Sequence, residues 1–278
     1  MPAARVVETS EAVVSYTDVG SGPVLLLLHG GGPGATGLGN FRGNVADLAD
    51  SFRLLIPDQP GFGASRLSTD SGLPYPVVSA KAMIDLLEAL GIDRAHVVGN
   101  SMGGGVALQM ALARHDLVDR LVLMGPYLWG FAPQVLSAEP EGGPLLNNYY
   151  PDPTLERARH LIRTFVFDAD QIPNLEELVR ARYEATLDPQ VEAGYMRMVT
   201  STSPDPDPRS ALEKVRSIDN QTLLLWGRDD KFCNLEDAFA YLSALRHSEL
   251  VVFRDTGHWV MVERRTEFAA HMKAFLNR

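Results

Sequence analysis

The chain has 278 residues, of which 45% are hydrophobic and 22% charged, a balance typical of one large globular domain. Its net charge of −10 argues against nucleic acid or an anionic membrane surface as a partner, because both repel an acidic protein. Cys233 is the single cysteine, so an intrachain disulfide is impossible. We therefore expect a cytoplasmic protein with no signal peptide and no membrane span.

The first predicted strand covers residues 13–17, where apolar and polar residues alternate, and we expect it at a sheet edge. Continuous apolar runs then recur along the chain, and each run ends in a loop. They cover residues 24–28, 54–57, 95–98, 121–124, 222–226 and 250–253. Such runs are typical of parallel strands covered on both faces. With the helical periodicity of 80–90 and 102–114 between them, they predict an α/β fold whose mostly parallel central sheet is flanked by helices.

The middle of the chain follows a different pattern, because residues 128–216 contain no strand-like run. Helical periodicity appears instead at 154–167, 174–187 and 190–200, and a proline-rich connector follows at 204–208. We predict a helical cap over 128–216, inserted into a core formed by 1–127 and 217–278. Such a cap would cover the carboxyl edge of the strands, where open α/β sheets bind ligands.

Ser101 lies between Gly99 and Gly103, directly after a predicted strand and before a predicted helix. A serine in this setting is typical of a nucleophile elbow, and glycines flank it because the turn is too tight for side chains. The hydroxyl would then lie at a helix N-terminus, where free N–H groups favour negative charge. The motif alone also occurs in ordinary glycine-rich turns.

Two further loops supply the partners that a nucleophilic serine requires. A hydroxyl needs a base within hydrogen-bond reach and a third group that orients the base. Asp229 and Asp230 follow the strand 222–226, and His258 follows the strand 250–253. Serine, acid and histidine thus occur in the order found in α/β hydrolases. We assign His258 as the base, and from position alone either aspartate could orient it.

A glycine run, Gly30 to Gly34 after His29, follows the first buried strand. It lets the backbone approach a ligand closely, and we expect the N–H groups of Gly31 and Met102 to form an oxyanion hole. The alternative is a turn whose glycines serve geometry only. The lysine of a phosphate loop and the spacing of a dinucleotide-binding loop are both missing. The seven histidines show no metal-ligand spacing, so we expect no metal site.

One arginine falls on an apolar helix face of the predicted cap. Leu175, Leu178 and Val179 form an apolar stripe, and Arg182 takes the next position on it, whereas Arg180 falls off the stripe. A buried arginine needs a partner, because an unpaired buried charge is very costly. The spacing leaves two interpretations open: a structural ion pair, or a clamp for a substrate carboxylate.

Taken together, these motifs resemble the meta-cleavage product hydrolases, α/β hydrolases that split a carbon–carbon bond in ring-fission products of aromatic degradation. The resemblance spans nearly the whole chain and weakens in the cap. It rests on the segments 29–35 (HGGGPGA), 99–104 (GNSMGG), 123–126 (LMGP), 226–230 (WGRDD) and 257–259 (GHW), together with Asn40.

The resemblance implies roles for individual residues. It favours Asp230 over Asp229 as the orienting acid, and it favours Arg182 as the carboxylate clamp. It also implies that Asn40 and Asn100 contact the oxygen-bearing end of the substrate. We expect Gly30 and Trp259 to contact the substrate as well. No cofactor and no metal are expected, and the family implies a homodimer or a higher homo-oligomer.

The implied substrate is a small anionic 2-hydroxy-6-oxo-hexa-2,4-dienoate. The family chemistry converts the dienol to a keto form, after which Ser101 attacks the distal ketone and 2-hydroxypentadienoate leaves. Tyr127, Leu128 and Trp129 depart from the small residues usual at this point of the family. The distal substituent of the substrate could therefore be a methyl, a phenyl, a carboxylate or a larger group.

Two other functions compete with this one. A carboxylesterase or lactonase could use the same triad, but it would not need Arg182. A non-catalytic binding protein with this fold is the other alternative, although such proteins often lose a member of the triad, and here all three are present.

Overall fold

The structure is a computed structural model that describes residues 3–68, 72–127, 140–201 and 207–278. Its strands form one sheet. They are β1 (Arg5–Glu8), β2 (Ala12–Val19), β3 (Val24–Leu28), β4 (Arg53–Pro57), β5 (Arg66–Leu67), β6 (Ala95–Asn100), β7 (Val118–Met124), β8 (Thr222–Gly227) and β9 (Ser248–Phe253).

The strand order is β1-β2-β4-β3-β6-β7-β8-β9, and the short β5 pairs with β2. The strands from β4 to β9 along this order are parallel, whereas β1 and β2 are antiparallel to their neighbours. The six apolar runs are confirmed as strands. The prediction that the first strand lies at the edge was wrong, because β1 pairs outside β2. The four residues of β1, RVVE, form too short and too polar a run for a strand to be predicted there.

Alternate residues of the central strands pack on opposite faces of the sheet. In β3, Leu26 and Leu28 belong to one buried cluster, whereas Leu25 and Leu27 belong to the other. Because the side-chain period of a strand is two, a strand covered on both faces must be apolar at every position. This explains why these runs are continuous rather than alternating, and it confirms the predicted α/β architecture.

Helices cover both faces of the sheet. They are α1 (Gly37–Phe41), α2 (Val45–Leu48), α3 (Tyr75–Ala89), α4 (Met102–Ala113), α5 (Gly143–Asn147), α6 (Leu155–Thr164), α7 (Leu175–Ala185), α8 (Pro189–Val199), α9 (Pro208–Arg216), α10 (Leu235–Ala244), α11 (Val260–Glu263) and α12 (Arg265–Leu276). Within the described ranges, none of the helices has the length and apolar character needed to cross a membrane.

Every described element between β7 and β8 is helical or a short turn. Here α6, α7 and α8 match the three predicted helices within three residues at each end. Helix α6 begins after Thr154, whose side chain accepts a hydrogen bond from the N–H of Arg157. Most of the predicted connector 204–208 lies outside the described residues; its last residue, Pro208, begins α9.

Candidate active site

Ser101 occupies the sharp turn between β6 and α4 and has the dihedral angles φ 55° and ψ −119°. A non-glycine residue rarely adopts this backbone conformation, so the surrounding fold must hold it there. A Cβ at Gly99 would overlap the carbonyl group of Gly103, and a Cβ at Gly103 would overlap the carbonyl oxygen of Leu28, which explains why both flanking positions are glycine. The hydroxyl is therefore raised from the sheet at the N-terminus of α4, as the sequence predicts.

His258 and Asp230 form a buried pair beside this turn. The Nδ1 atom of His258 lies 2.7 Å from Oδ2 of Asp230, and both side chains are almost fully buried. The other carboxylate oxygen of Asp230 accepts hydrogen bonds from the N–H groups of Phe232 (2.8 Å) and Cys233 (2.9 Å). These bonds fix the carboxylate, which in turn orients the imidazole ring. No described protein group bonds to Nε2 of His258, although this atom is buried.

The two adjacent aspartates have different environments. Asp229 turns away from His258: its Oδ2 atom lies 3.4 Å from the guanidinium of Arg228 and accepts a hydrogen bond of 3.4 Å from the N–H of Thr256. Its side chain is 31% exposed, against 2% for that of Asp230. The geometry therefore brings Asp230, and not Asp229, to the imidazole.

Gly31 and Met102 lie next to each other beside the turn that holds Ser101. A Cβ at Gly31 would lie 3.1 Å from Sδ and 3.2 Å from Cβ of Met102. Among the described backbone hydrogen bonds, none uses the N–H of either residue. Two unused donors beside a serine at a helix N-terminus can stabilise a developing oxyanion.

His29 fixes the glycine run that precedes Gly31. Its Nδ1 atom lies 2.8 Å from the carbonyl oxygen of Gly30, and its Nε2 atom accepts a hydrogen bond of 2.9 Å from the N–H of Gln59. Burial lowers the pKa of His29 to about 4, so the ring is neutral near pH 7. His29 therefore acts on the loop backbone rather than as a second base.

Arg182 of α7 is 4% exposed. Its Nη2 atom donates a hydrogen bond of 2.7 Å to Oδ1 of Asn40, and its guanidinium lies 4.9 Å from the centre of the Trp259 ring. Burial lowers the pKa of Arg182 to about 10, which still leaves it charged at neutral pH. In the described part of the chain it has no carboxylate partner, and its Nε atom makes no hydrogen bond. By contrast, Arg180 is exposed and lies 3.6 Å from Glu176.

Two asparagines connect this guanidinium with the serine turn. The amide of Asn40 donates a hydrogen bond of 3.4 Å to Oδ1 of Asn100. Asn100 directly precedes Ser101, and its own amide donates to the carbonyl oxygens of Met124 and His258, each at 3.3 Å. The polar end of the site and the nucleophile are therefore linked through side chains.

A cavity of about 230 Å³ is lined by the serine turn, His258, the guanidinium and the two asparagines. Its lining combines the predicted residues with apolar residues of α5 and α8 and with Phe165, which directly follows α6. The predicted residues in it are Gly30, Gly31, Asn40, Asn100, Ser101, Met102, Arg182, His258 and Trp259. Asp230 lies behind His258 rather than in the lining, as an orienting group should. Tyr127 also lines the cavity, whereas Leu128 and Trp129 lie outside the described residues.

Asp230, Cys233 and His258 have possible metal-ligand atoms within 4.8 Å of one another. Their chemistry does not fit a metal site. Burial raises the pKa of the Cys233 thiol well above its usual value, so it is protonated, whereas a ligating thiol must lose its proton. Its Sγ atom bonds to the carbonyl oxygen of Gly125 at 3.2 Å, and the other two residues already bond to each other.

Comparisons with known proteins agree with this geometry. Residues 25–271 match the model of the alpha/beta hydrolase family. A 2-hydroxy-6-oxo-6-phenylhexa-2,4-dienoate hydrolase of Comamonas testosteroni is 35% identical over 272 residues, which cover 94% of this chain and 90% of the relative. The chain belongs to the meta-cleavage product hydrolases, a family of α/β hydrolases. The resemblance inferred from the motifs is thereby confirmed.

Two further similar proteins carry names of dienoate hydrolases, and the first of them names a different substrate. A 2-hydroxy-6-oxononadienedioate/2-hydroxy-6-oxononatrienedioate hydrolase of Burkholderia vietnamiensis is 36% identical, over 97% of this chain and 92% of the relative. The solved structure of a 2-hydroxy-6-oxo-6-phenylhexa-2,4-dienoate hydrolase of a Rhodococcus species superposes with a TM-score of 0.87. It is 29% identical, and the alignment covers 99% of this chain and 100% of the other.

Sequence reasoning missed several residues at the site of this meta-cleavage product hydrolase. The Phe165 ring stacks on Trp259 with centroids 4.7 Å apart, and on Phe232 at 4.1 Å. Gly125 adopts φ 47°, and a Cβ there would lie 2.9 Å from Cε1 of His258. Phe232 could have been suspected because it follows Asp230 by two positions. Gly125 falls in the segment 123–126 that carries the resemblance, but no role was predicted for it, and no pattern in the sequence marks Phe165.

Proposed function

We propose that this protein hydrolyses the carbon–carbon bond next to the distal ketone of 2-hydroxy-6-oxo-hexa-2,4-dienoates. Ser101 is the nucleophile, His258 the base and then the acid, and Asp230 the group that orients His258. The N–H groups of Gly31 and Met102 bind the oxyanion. The names of the relatives support the substrate class, since each of those cited is a hydrolase of such a dienoate.

The observation that carries the proposal is the buried guanidinium of Arg182 in the same cavity as Ser101. An arginine without a carboxylate partner is costly to bury, and a bound carboxylate removes that cost through charge-assisted hydrogen bonds. A simple ester has no group for such a cation. The site therefore favours a substrate that carries a carboxylate at one end and a reactive carbonyl at the other.

The reaction begins with the transfer of a proton from the 2-hydroxyl oxygen to C5, which converts the dienol to a 2,6-diketone. His258 then takes the proton of Ser101 as the hydroxyl oxygen adds to the C6 carbonyl, and the resulting oxyanion accepts hydrogen bonds from the N–H groups of Gly31 and Met102. Collapse of this adduct breaks the bond between C5 and C6. The electron pair is delocalised into the 2-keto group, and this fragment takes the proton that His258 accepted from Ser101. 2-Hydroxypentadienoate then leaves, and His258 is neutral again.

Water completes the cycle by hydrolysing the acyl group from Ser101, with His258 acting as base for the water and then as acid for the serine. Arg182 holds the C1 carboxylate, and Asn40 and Asn100 lie where they can bond to the neighbouring oxygen. Gly30 and Trp259 form the walls that hold the planar diene. This division of roles is supported by the chain of hydrogen bonds from Arg182 to Asn100.

Residues 128–216 form a cap on a core of residues 1–127 and 217–278. The proposal is supported by the helical elements between β7 and β8 and by the contribution of α7 to the cavity.

We also place the protein in the reducing cytoplasm as a homo-oligomer. The buried single cysteine supports the compartment, and the resemblance to the family supports the assembly.

The decisive experiment compares Arg182→Gln with Arg180→Gln on two substrates, a 6-phenyl dienoate followed by its absorbance and p-nitrophenyl butyrate. We expect Arg182→Gln to lower kcat/KM for the dienoate by about 100-fold, with a much smaller effect on the ester. Arg180→Gln, an exposed change on the same helix, should leave both unchanged. Equal losses on the two substrates would favour an esterase, and full activity of Ser101→Ala would refute the serine mechanism.

A further inference from the structure

We infer that the distal end of the cavity selects an uncharged substituent on C6 of the substrate, so that this protein excludes dienoates whose other end is a second carboxylate. The inference rests on the proposed function and deepens it. The chain is about equally similar to a phenyl dienoate hydrolase and to a nonadienedioate hydrolase. Sequence identity therefore does not distinguish these two substrates, whereas the inference does.

Among the described residues, the cavity lining has a cation at Arg182 and a neutral end beside His258, whose ring lies 5.3 Å from that of Phe232. Arg182 contacts Asn40 and Trp259, and it is the single lysine or arginine among the described residues that line the cavity. The lining on the side of the Asp230 loop and of α5 comes from Phe232, Cys233 and Leu146, among others. Since Arg182 holds the C1 carboxylate, this neutral end receives the C6 substituent, which becomes the acyl group on Ser101.

Three segments outside the described ranges contain no basic side chain that could supply a cation at this end. Tyr127 and Pro140 line the cavity and border the segment 128–139, whose sequence is LWGFAPQVLSAE. This segment contains no lysine, arginine or histidine, and one glutamate. The segments 69–71 and 202–206 have no basic side chain either. These three segments therefore add no cation to the cavity, wherever they lie.

Lys231, a basic residue next to Phe232 in the sequence, does not line the cavity and contacts another residue. Its Nζ atom lies 3.4 Å from Oε2 of Glu141, outside the cavity lining. The Cys233 thiol is neutral, because burial raises its pKa well above the usual value. Asp230 lies behind His258 and would repel a nearby anion. A distal carboxylate would thus lose its water and gain no opposite charge in return.

Two p-nitrophenyl esters test this end of the cavity without the dienoate. The butyrate and the hemisuccinate have acyl groups of similar size, and they differ in that the latter ends in a carboxylate. This acyl group is also the one that a nonadienedioate leaves on the serine. We expect kcat/KM to be about 100-fold higher for the butyrate. The pair is measured again in Arg182→Gln, where the guanidinium cannot attract the hemisuccinate.

A positive charge introduced into the cavity wall tests the same point, and the same charge placed just outside the wall is the control. Asn147 ends α5, is exposed and lines the cavity, whereas the exposed neighbour Asn148 does not line it. We expect Asn147→Lys to reduce the preference for butyrate by about tenfold, because it supplies the missing partner. Asn148→Lys adds the same charge outside the cavity and should leave the preference unchanged. Equal effects of the two variants would overturn the assignment of this wall to the distal group.

The dienoates themselves complete the test. We expect the 6-phenyl dienoate to be cleaved and the nonadienedioate to react about 100-fold more slowly. Comparable kcat/KM values within each pair of substrates would overturn the inference while leaving the proposed function intact. If neither dienoate is cleaved but the butyrate is still preferred, the proposed function fails and the neutral distal site stands. Absence of turnover on all four substrates would overturn both.

Discussion

The backbone N–H of His258 donates a hydrogen bond of 2.8 Å to the carbonyl oxygen of Phe165. Phe165 directly follows α6 in the proposed cap, and its ring lies parallel to that of Trp259, the residue after His258, at an interplanar angle of 8°. The proposed base is therefore held by the proposed cap as well as by the loop after β9. A change that loosens the cap should also affect the catalytic geometry.

Replacement of Phe165 tests this link. Phe165 is buried, and Phe165→Ala should lower the free energy of unfolding by about 3 kcal/mol because the stacked rings lose their contacts. It should also lower kcat, since His258 loses part of its support. Urea unfolding and steady-state kinetics measure the two effects. Phe167→Ala is the control: its side chain is 51% exposed, and the change should cost less than about 0.5 kcal/mol. Equal losses in the two variants would contradict the link.

The two aspartates of the β8 loop should differ in their effect on activity. Asp230→Asn removes the carboxylate that orients His258 and should lower kcat by about 10³- to 10⁴-fold. Asp229→Asn affects contacts with Arg228 and Thr256 and should lower kcat only slightly. The comparison is made on p-nitrophenyl butyrate, so that it does not depend on the identity of the dienoate. Similar kcat values for the two variants would show that the orienting acid is assigned wrongly.

Gly125 should be required for space as well as for backbone conformation. It adopts φ 47°, and a Cβ there would lie 3.1 Å from Nδ1 of His258 and 3.2 Å from Oδ2 of Asp230. Gly125→Ala should therefore displace the pair and lower kcat by about 100-fold. Gly91→Ala separates the two causes, because Gly91 has φ 65° but nothing within 4 Å of a Cβ. Gly91→Ala should lose about 1 kcal/mol of stability and keep full activity; a comparable loss of activity there would refute the steric argument.

Glu263 should make the stability depend on pH. Its two carboxylate oxygens accept hydrogen bonds from the N–H groups of Gly257 (2.8 Å) and Phe167 (2.7 Å). Burial raises the pKa of Glu263 to about 7; the two N–H hydrogen bonds and the charge of Arg264 oppose this rise, and the charge of Asp230 adds to it. A carboxyl whose pKa is raised on folding contributes its full stability below its ordinary pKa of 4.5 and loses that contribution as the pH rises through about 7.

Glu263→Gln removes this ionisation. We expect the Tm of the natural protein, relative to that of Glu263→Gln, to fall by about 2 to 4 °C between about pH 5 and about pH 8. Glu267→Gln, an exposed change on α12, should show no such trend. Melting curves over this pH range provide the measurement, and a Tm difference that is constant with pH would contradict the role of Glu263.

The sequence predicted the sheet and the serine turn because both depend on local rules. A strand buried on two faces must be apolar throughout, as in β3 and β8, and a tight elbow needs glycines at positions 99 and 103. Ser101, Asp230 and His258 also each follow the end of a predicted parallel strand, so their order along the chain could be read from the sequence. These features are encoded within a few residues of each site.

The tertiary structure decided which groups meet. Asp229 and Asp230 are equivalent by position, and the direction of the loop brings Asp230 to His258. The spacing of α7 left Arg182 open between an ion pair and a clamp, and its only side-chain hydrogen-bond partner in the described residues is Asn40, 142 positions away. The contact of Phe165 with His258 has no sequence signal at all. Contacts between distant segments depend on how whole elements pack, which periodicity and spacing do not encode.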